Sequence, residues 1–105
     1  MYILNSTFEW DARKAATNLA KHGVSFDEAA TVFADTEALD GPDLQHSAAE
    51  SRFLRLGRSV TGRVLMVAYT QRRLGDVETV RIISARRASR RERTALASPR
   101  KDRFL

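Results

Sequence analysis

The sequence contains no cysteine, and this absence excludes disulfide scaffolds, thiolate metal sites and cysteine nucleophiles. We therefore expect the chain in a reducing compartment, the cytoplasm. Long apolar runs are also missing, since no stretch approaches the roughly 20 apolar residues of a membrane span. The first residues lack the basic start and apolar core of a signal peptide. These absences predict a soluble, unexported protein with no membrane partner.

Lysine is scarce, so arginine supplies most of the positive charge. The 105 residues carry 18 Lys+Arg against 13 Asp+Glu, a net charge of +5. Residues 1–49 hold 3 Lys+Arg and 8 Asp+Glu, whereas residues 50–105 hold 15 and 5. Because the planar guanidinium group matches phosphate oxygens in pairs, nucleic acid is the first partner to consider. The alternative is a well-solvated basic face followed by a basic tail.

A first helix is predicted over about 12–22, between an N-cap at Asp11 and a stop at Gly23. Its spacing gives one small apolar side and one polar, cationic side. The predicted apolar side comprises Ala12, Ala15, Ala16 and Leu19. The predicted cationic side comprises Lys14, Asn18, Lys21 and His22.

Two capping boxes predict further helices. Ser25 with Glu28 begins a second helix directly after the first, and Ser89 with Glu92 begins a short one over about 90–97. The interval between these helices contains the sheet.

Three runs, over about 51–58, 63–71 and 77–85, predict an antiparallel meander. The middle run is apolar on both faces, which is typical of a central strand covered on both sides. The acidic, turn-rich segment 34–43 predicts a loop that crosses from helices to sheet. With an edge strand possible at the start of the chain, the sheet is predicted to have three to four strands.

Two groups of residues resemble the BrnT family of bacterial toxins, the toxic half of a type II toxin–antitoxin pair. The first group is Phe8-Glu9-Trp10-Asp11, Lys14, Asn18, Lys21-His22-Gly23-Val24-Ser25-Phe26 and Ala29. The second group is Asp43, His46-Ser47, Glu50, Arg52, Gly57, Tyr69-Thr70, Arg72, Arg81-Ile82-Ile83-Ser84-Ala85-Arg86, Ala88 and Glu92-Arg93. Two separated signatures in one order across residues 8–93 make the resemblance specific.

This resemblance implies a RelE-like ribonuclease fold and translation arrest through RNA cleavage. It also implies neutralisation by a small DNA-binding antitoxin of the ribbon-helix-helix type, whose dimer would make the assembly symmetric. DNA would then be contacted only through the antitoxin. We predict one RelE-like α+β domain over 1–98, with two N-terminal helices packed on the small antiparallel meander and a short C-terminal helix. Residues 99–105 are predicted to form a basic tail.

RNA cleavage by the 2′-hydroxyl needs a base, cations that hold charge on the phosphorane, and an acid for the departing 5′-oxygen. The predicted cations are Arg52, Arg72, Arg81 and Arg86. Strict strand alternation places Arg81 and Arg86 on opposite faces, so they share a cleft only if the strand ends or bulges near Ser84. The alternative for Arg81 is a strand-edge arginine that extends to solvent or pairs with Glu78. Arg86 could simply be solvated after the strand, and Arg52 could merely flank its strand.

The predicted base is Glu50 or His22, with His46 behind them, and Lys21 is predicted as electrostatic support or as the acid. His22 has an alternative role as a partner of the helix C-terminus. Glu50 could instead pair with His46 on a surface turn or organise the arginines. No organic cofactor or metal is predicted.

Three rival functions stay open at this point. One is a metal nuclease with hard ligands, although the spacing matches no specific metal motif; its ligands would be Asp40, Asp43, His46 and Glu50. Another is a non-catalytic module whose arginines only bind nucleic acid. The third is an interaction protein whose basic face docks an acidic partner chain.

Overall fold

The structure, a computed structural model, describes residues 6–46 and 51–98. Within these ranges the chain forms five strands, three α-helices and one 3₁₀ turn. In chain order these are β1 (Ser6–Glu9), α1 (Ala12–His22), α2 (Phe26–Thr31), the 3₁₀ turn (Val32–Ala34), β2 (Leu39–Pro42), β3 (Phe53–Arg58), β4 (Val64–Leu74), β5 (Val77–Arg87) and α3 (Arg90–Ala97). None of the helices in this part of the chain has the length and apolar character needed to cross a membrane.

The strands form one mixed sheet in the order β1-β5-β4-β3-β2. The predicted antiparallel meander is confirmed as β3, β4 and β5. The predicted count of three to four strands is wrong, and so is a purely antiparallel sheet, because β1 pairs in parallel with β5. The fifth strand is β2, in the segment predicted as a loop. Its Asp-Gly-Pro sequence resembles a turn, but an edge strand tolerates proline because one side of its backbone needs no partner.

The helices begin and end close to their predicted positions. α1 and α3 match their predicted bounds, and the capping box of α3 is complete. The box predicted for α2 is only half formed. Ser25 accepts the N–H of Glu28 at 3.0 Å, but the Glu28 carboxylate binds the guanidinium of Arg63 instead of returning to the backbone. α2 ends after six residues and continues into the 3₁₀ turn.

The buried side of α1 differs from the prediction. Leu19 on the predicted apolar side is 51% exposed, whereas Asn18 on the predicted cationic side is buried. The Asn18 side chain donates to the carbonyls of Val24 and Ala85 at 2.9 and 2.8 Å and accepts the N–H of Ala85 at 3.1 Å. Since β1 pairs with β5 only as far as Arg81, this amide continues the hydrogen bonding of the β5 edge. A polar group buried with every partner satisfied attaches the helix to the sheet.

The two faces of the sheet have different covers. On the face that we call the helix face, α2 and the 3₁₀ turn pack on the apolar residues Leu65, Val67, Tyr69, Val80 and Ile82. The other face, which we call the open face, presents Met66, Ala68, Thr70 and Arg72 of β4 with their cross-strand neighbours. α3 covers one end of it, where Leu96 packs with Leu56 and Met66. β4 is therefore central and covered on both sides at that end, as predicted.

A bulge in β5 decides which side chains reach the open face. Ala68 lies opposite Ser84 and Tyr69 lies opposite Ile82, so Ile83 is an extra residue without a partner on β4. An extra residue reverses the alternation that follows it. Arg81 and Arg86, which strict alternation separates, consequently lie on the same face.

Candidate active site

The open face of the sheet carries most of the predicted site residues. Arg86 lies opposite Met66 and Arg81 lies opposite Thr70, four residues apart on β4. This separation is about 13 Å along the strand, so the two guanidiniums occupy neighbouring hollows and do not surround a single phosphate. Arg81 and Arg86 can share a face only if β5 bulges near Ser84, and β5 has such a bulge at Ile83.

The larger of these hollows, which we call the central hollow, has a volume of about 430 Å³. Its floor is the apolar middle of β3 and β4, with Leu54, Met66 and Ala68. Two imidazoles, two guanidiniums and one carboxylate reach its rim, from His22, His46, Arg52, Arg86 and Asp43. These groups come from α1, from the segment after β2, from the start of β3 and from β5, so the hollow exists only in the folded chain.

Asp43 and His46 form a hydrogen-bonded pair at this rim. The His46 Nδ1 atom lies 3.1 Å and 3.2 Å from the two carboxylate oxygens of Asp43. Asp43 is only 8% exposed, and its N–H donates to the Arg52 carbonyl at 2.8 Å, which fixes it to the start of β3. A carboxylate that accepts the Nδ1–H of a histidine leaves Nε2 available for proton transfer. The predicted alternative, a pair between His46 and Glu50, involves a residue outside the described ranges.

Arg86 is held at the hollow by the first turn of α3. Its two terminal nitrogens lie 2.8 Å and 2.9 Å from the two oxygens of Glu92, a bidentate pair. Hydrogen bonds from Arg86 are the main reason that the pKa of Glu92 is lowered, and Glu92 in turn raises the pKa of Arg86. The guanidinium is therefore charged and oriented before any ligand arrives.

The second hollow, which we call the arginine hollow, lies nearer the β4–β5 turn and is lined by Ser51, Thr70, Gln71, Arg72 and Arg81. Glu9 of β1 connects its two arginines, because Oε2 lies 3.1 Å from Arg72 Nη2 and 3.3 Å from Arg81 Nη1. The predicted alternative for Arg81, a pair with Glu78, is wrong. Arg81 pairs with Glu9, whereas Glu78 is buried, lies opposite Arg73 on the other face of the sheet, and interacts with Gln71 and Arg73.

Sequence reasoning missed Glu9 as a member of the site. Glu9 lies in the short apolar and aromatic opening of the chain, next to Trp10, and the sequence marks it only as part of the family signature. The parallel register that sets Glu9 beside Arg81 joins residues 72 apart. The sequence around Glu9 indicates only a carboxylate at the end of an edge strand. Which residues pair with that carboxylate depends on the order of the strands in the sheet.

The remaining predicted residues lie at the end of α1 or outside the described ranges. His22 is half-buried and lines the central hollow. Lys21 is exposed and lines an adjoining groove between α1 and β5. Glu50 lies in the segment 47–50, outside the described ranges.

Three of the four predicted metal ligands, Asp40, Asp43 and His46, lie in the described ranges, and they do not converge there. Asp40 lies opposite Arg55 on β3, and its carboxylate binds Arg55 and the Tyr69 hydroxyl at 2.5 and 2.7 Å. These partners belong to the helix face, whereas Asp43 and His46 line the central hollow on the open face. Residues 6–46 and 51–98 contain no group of three side chains suited to hold a metal ion.

Comparisons with known proteins agree with the resemblance seen in the sequence. The family model for the ribonuclease toxin BrnT of type II toxin–antitoxin systems matches residues 10–92. The crystal structure of the Brucella abortus ribonuclease toxin BrnT, at 1.1 Å resolution, is similar to this chain, with a TM-score of 0.57 and 25% sequence identity. The match covers 81% of this chain and 97% of that chain. No curated protein matches this sequence. The range matched by the family model includes every residue of the central hollow.

Proposed function

The chain belongs to the BrnT family of ribonuclease toxins of type II toxin–antitoxin systems, and we propose that its open face cleaves RNA without a metal ion. The observation that carries this proposal is the composition of the central hollow, where two guanidiniums and two imidazoles share one rim above an apolar floor. Guanidiniums bind phosphate, and imidazoles transfer protons near neutral pH. The hollow thus holds both kinds of group that RNA cleavage by the 2′-hydroxyl requires.

The scissile phosphate binds between Arg52 and Arg86. Arg86 already presents an oriented guanidinium through its pair with Glu92. As the 2′-oxygen attacks phosphorus, negative charge grows on the non-bridging oxygens, and fixed cations stabilise that charge without reorganising. Each such contact contributes on the order of 3 kcal/mol to the transition state in a water-poor site.

His46 acts as the general base and His22 as the general acid. Asp43 accepts the Nδ1–H of His46, so Nε2 takes the proton of the 2′-hydroxyl. The P–O5′ bond breaks, and the leaving 5′-oxygen receives its proton from His22, the second imidazole that lines the hollow. The products are a 2′,3′-cyclic phosphate and a free 5′-hydroxyl. Lys21 adds positive charge beside His22, and Glu50 stays a predicted alternative base.

Arg72 and Arg81 bind the neighbouring phosphate in the arginine hollow. Arg81 and Arg86 are about 13 Å apart along β4, and this spacing suits a second phosphate of the RNA better than the same phosphate. Glu9 holds both guanidiniums in the free protein. RNA that binds here must displace the Glu9 carboxylate or share with it the N–H donors of the two arginines. These arginines therefore favour a polyanion and contribute less to the binding of a small anion.

The metal-free mechanism has a direct test. Purified protein is incubated with single-stranded RNA in EDTA, and the fragment ends are analysed. We expect fragments that end in a 2′,3′-cyclic phosphate. RNA that is retarded but intact would make the protein a binding module. Activity that EDTA abolishes and magnesium restores would favour a metal nuclease.

The partner and context of the toxin complete the proposal. A ribonuclease that acts freely would kill its own cell, so a protein antitoxin covers the central hollow. We assign the antitoxin to the ribbon-helix-helix type, with a symmetric assembly through its dimer and DNA contacted only through it. The two N-terminal helices beside the β3–β5 meander support a RelE-like domain. We assign this domain to residues 1–98 and, since the chain has no cysteine, to the cytoplasm. The predicted basic tail, 99–105, lies outside the described ranges.

A further inference from the structure

A third concavity adjoins the central hollow but plays no part in the chemistry just described. It lies between α1 and the bulged part of β5, and we call it the α1 groove. It has a volume of about 320 Å³. Its walls are Arg13, Lys14, Thr17, Asn18, Lys21 and His22 from α1, with Ile83 and Ser84 from β5.

The α1 groove adjoins the central hollow. His22, Ile83 and Ser84 line both of them. The bulge in β5 lies at this shared boundary, because Ile83 is its extra residue. An RNA chain that leaves the central hollow past Ser84 therefore meets the groove next.

The cations of the α1 groove differ from those of the two hollows in their partners. Arg72, Arg81 and Arg86 each bind a carboxylate of the protein itself. No carboxylate lines the groove, and Arg13 and Lys14 form no ion pair within 4 Å in the described ranges, although the Asp11 carboxylate at the start of α1 interacts with the charge of Lys14. The three cations of the groove extend from position 13 to position 21, about 12 Å along the helix. Such a row is suited to a polyanion that runs alongside α1.

We propose that the α1 groove binds the phosphates of single-stranded RNA next to the cleavage site, so that it extends the substrate beyond the nucleotides held in the two hollows. This inference rests on the proposed ribonuclease function and names the path of its substrate. Unpaired cations bind phosphates without first giving up a carboxylate, so the groove contributes mainly to affinity. RNA that is too short to reach α1 loses this contribution.

The test compares two double variants with the same change in charge. Arg13→Gln/Lys14→Gln removes two cations of the groove and keeps good helix formers. Arg90→Gln/Arg91→Gln removes two exposed cations of α3 that line neither the groove nor either hollow. Binding is measured with a 2′-O-methyl RNA of about 12 nucleotides, which lacks the attacking 2′-hydroxyl and so stays intact during the measurement. Cleavage is measured with unmodified RNA of that length and with a dinucleotide.

We expect Arg13→Gln/Lys14→Gln to weaken binding of the 2′-O-methyl RNA by about tenfold and to flatten its salt dependence by about 1.4 in log–log slope, from two lost phosphate contacts. In this variant, KM for the long RNA should rise to a similar extent while kcat stays the same. Cleavage of the dinucleotide should not change. Equal affinities and salt slopes for the two double variants would overturn the proposal. Unchanged RNA binding together with weakened antitoxin binding would also overturn it, because the groove would then be a binding site for the antitoxin. If unmodified RNA is never cleaved, the ribonuclease mechanism fails, while the binding comparison still decides the RNA path.

Discussion

Arg55 and Arg81 lie on opposite faces of the same sheet, and they differ in burial and in partners. Arg55 is 8% exposed, donates to the carbonyls of Val32 and Asp35 at 3.2 and 2.9 Å, and binds Asp40. The Arg81 side chain is 45% exposed, and it shares one Glu9 oxygen with Arg72. A guanidinium has five N–H donors. Arg55 directs its donors to two carbonyls and a carboxylate inside the fold. Arg81 has donors that remain available to a ligand.

A similar contrast holds for two glutamates that each pair with another arginine. Glu28 on α2 is bound by Arg63, Ser59 and Thr61, all within the helix side of the domain. Glu92 on α3 holds a guanidinium that lines the central hollow. Side chains of one type therefore divide into those that stabilise the domain and those that prepare a phosphate site. Four substitutions test this division, taken from the largest expected effect to the smallest.

Arg55→Ala should lower the free energy of unfolding by about 3–5 kcal/mol, because it leaves Asp40 and two carbonyls without their cation. The matched variant on the open face, Arg81→Ala, should change stability by less than about 0.5 kcal/mol. Urea unfolding measures both. Equal losses of stability for the two variants would contradict the division between the faces.

Glu28→Gln should remove stability that depends on pH. Hydrogen bonds from Arg63 are the main reason that the pKa of Glu28 falls from 4.5 to about 2. A lowered carboxyl pKa stabilises the fold fully above pH 4.5, and this contribution is lost as the pH falls toward 2. Its size is about 3 kcal/mol. Urea unfolding at several pH values should show wild type and variant converging between these limits, and a difference that is independent of pH would argue against the pair as its source.

His46→Asn should lower kcat by about 100-fold or more, because the general base is lost while the side-chain amide can still bond to Asp43. Stability should not change, since the His46 side chain is 60% exposed. In the wild type, kcat/KM should show a bell-shaped dependence on pH, and the variant should lose one limb of it. Full activity in His46→Asn would return the role of base to Glu50 or His22.

Arg81→Ala should lower cleavage of long RNA at least tenfold, or about 1.4 kcal/mol, through the loss of one phosphate contact. Glu9→Gln provides the matched control, because it releases the two arginines without removing either. It should leave cleavage equal to wild type or higher. An unchanged rate in Arg81→Ala with an intact thermal unfolding transition would remove the arginine hollow from the site.

The features that could be predicted from sequence are those encoded locally. α1 and α3 follow from caps within a few residues of each end, and the β3–β5 meander follows from apolar runs separated by turns. The predicted buried side of α1 is wrong because a helix side made mostly of alanines gives only a weak apolar signal. Asn18 is buried on account of Ala85, 67 residues away.

The composition of the site was less predictable than the fold. The bulge at Ile83 arises from the pairing of β5 with β4, and it alone decides that Arg81 and Arg86 share a face. The pair of Glu9 with Arg81 requires the parallel register of β1. The pair of Asp43 with His46 is local, but its place at the central hollow depends on the hydrogen bond from Asp43 to Arg52. The types of residue needed for RNA cleavage are visible in the sequence, but their grouping depends on strand order.

The central claim is that phosphate binds on the open face, at the rim of the central hollow. NMR of side chains in the labelled protein, titrated with a 2′-O-methyl dinucleotide, tests it without requiring activity. We predict that the guanidinium signals of Arg52 and Arg86 and the imidazole signals of His22 and His46 shift together with one affinity, while the signal of Arg55 does not move. Shifts centred on Arg55, or none on the two imidazoles, would contradict this account.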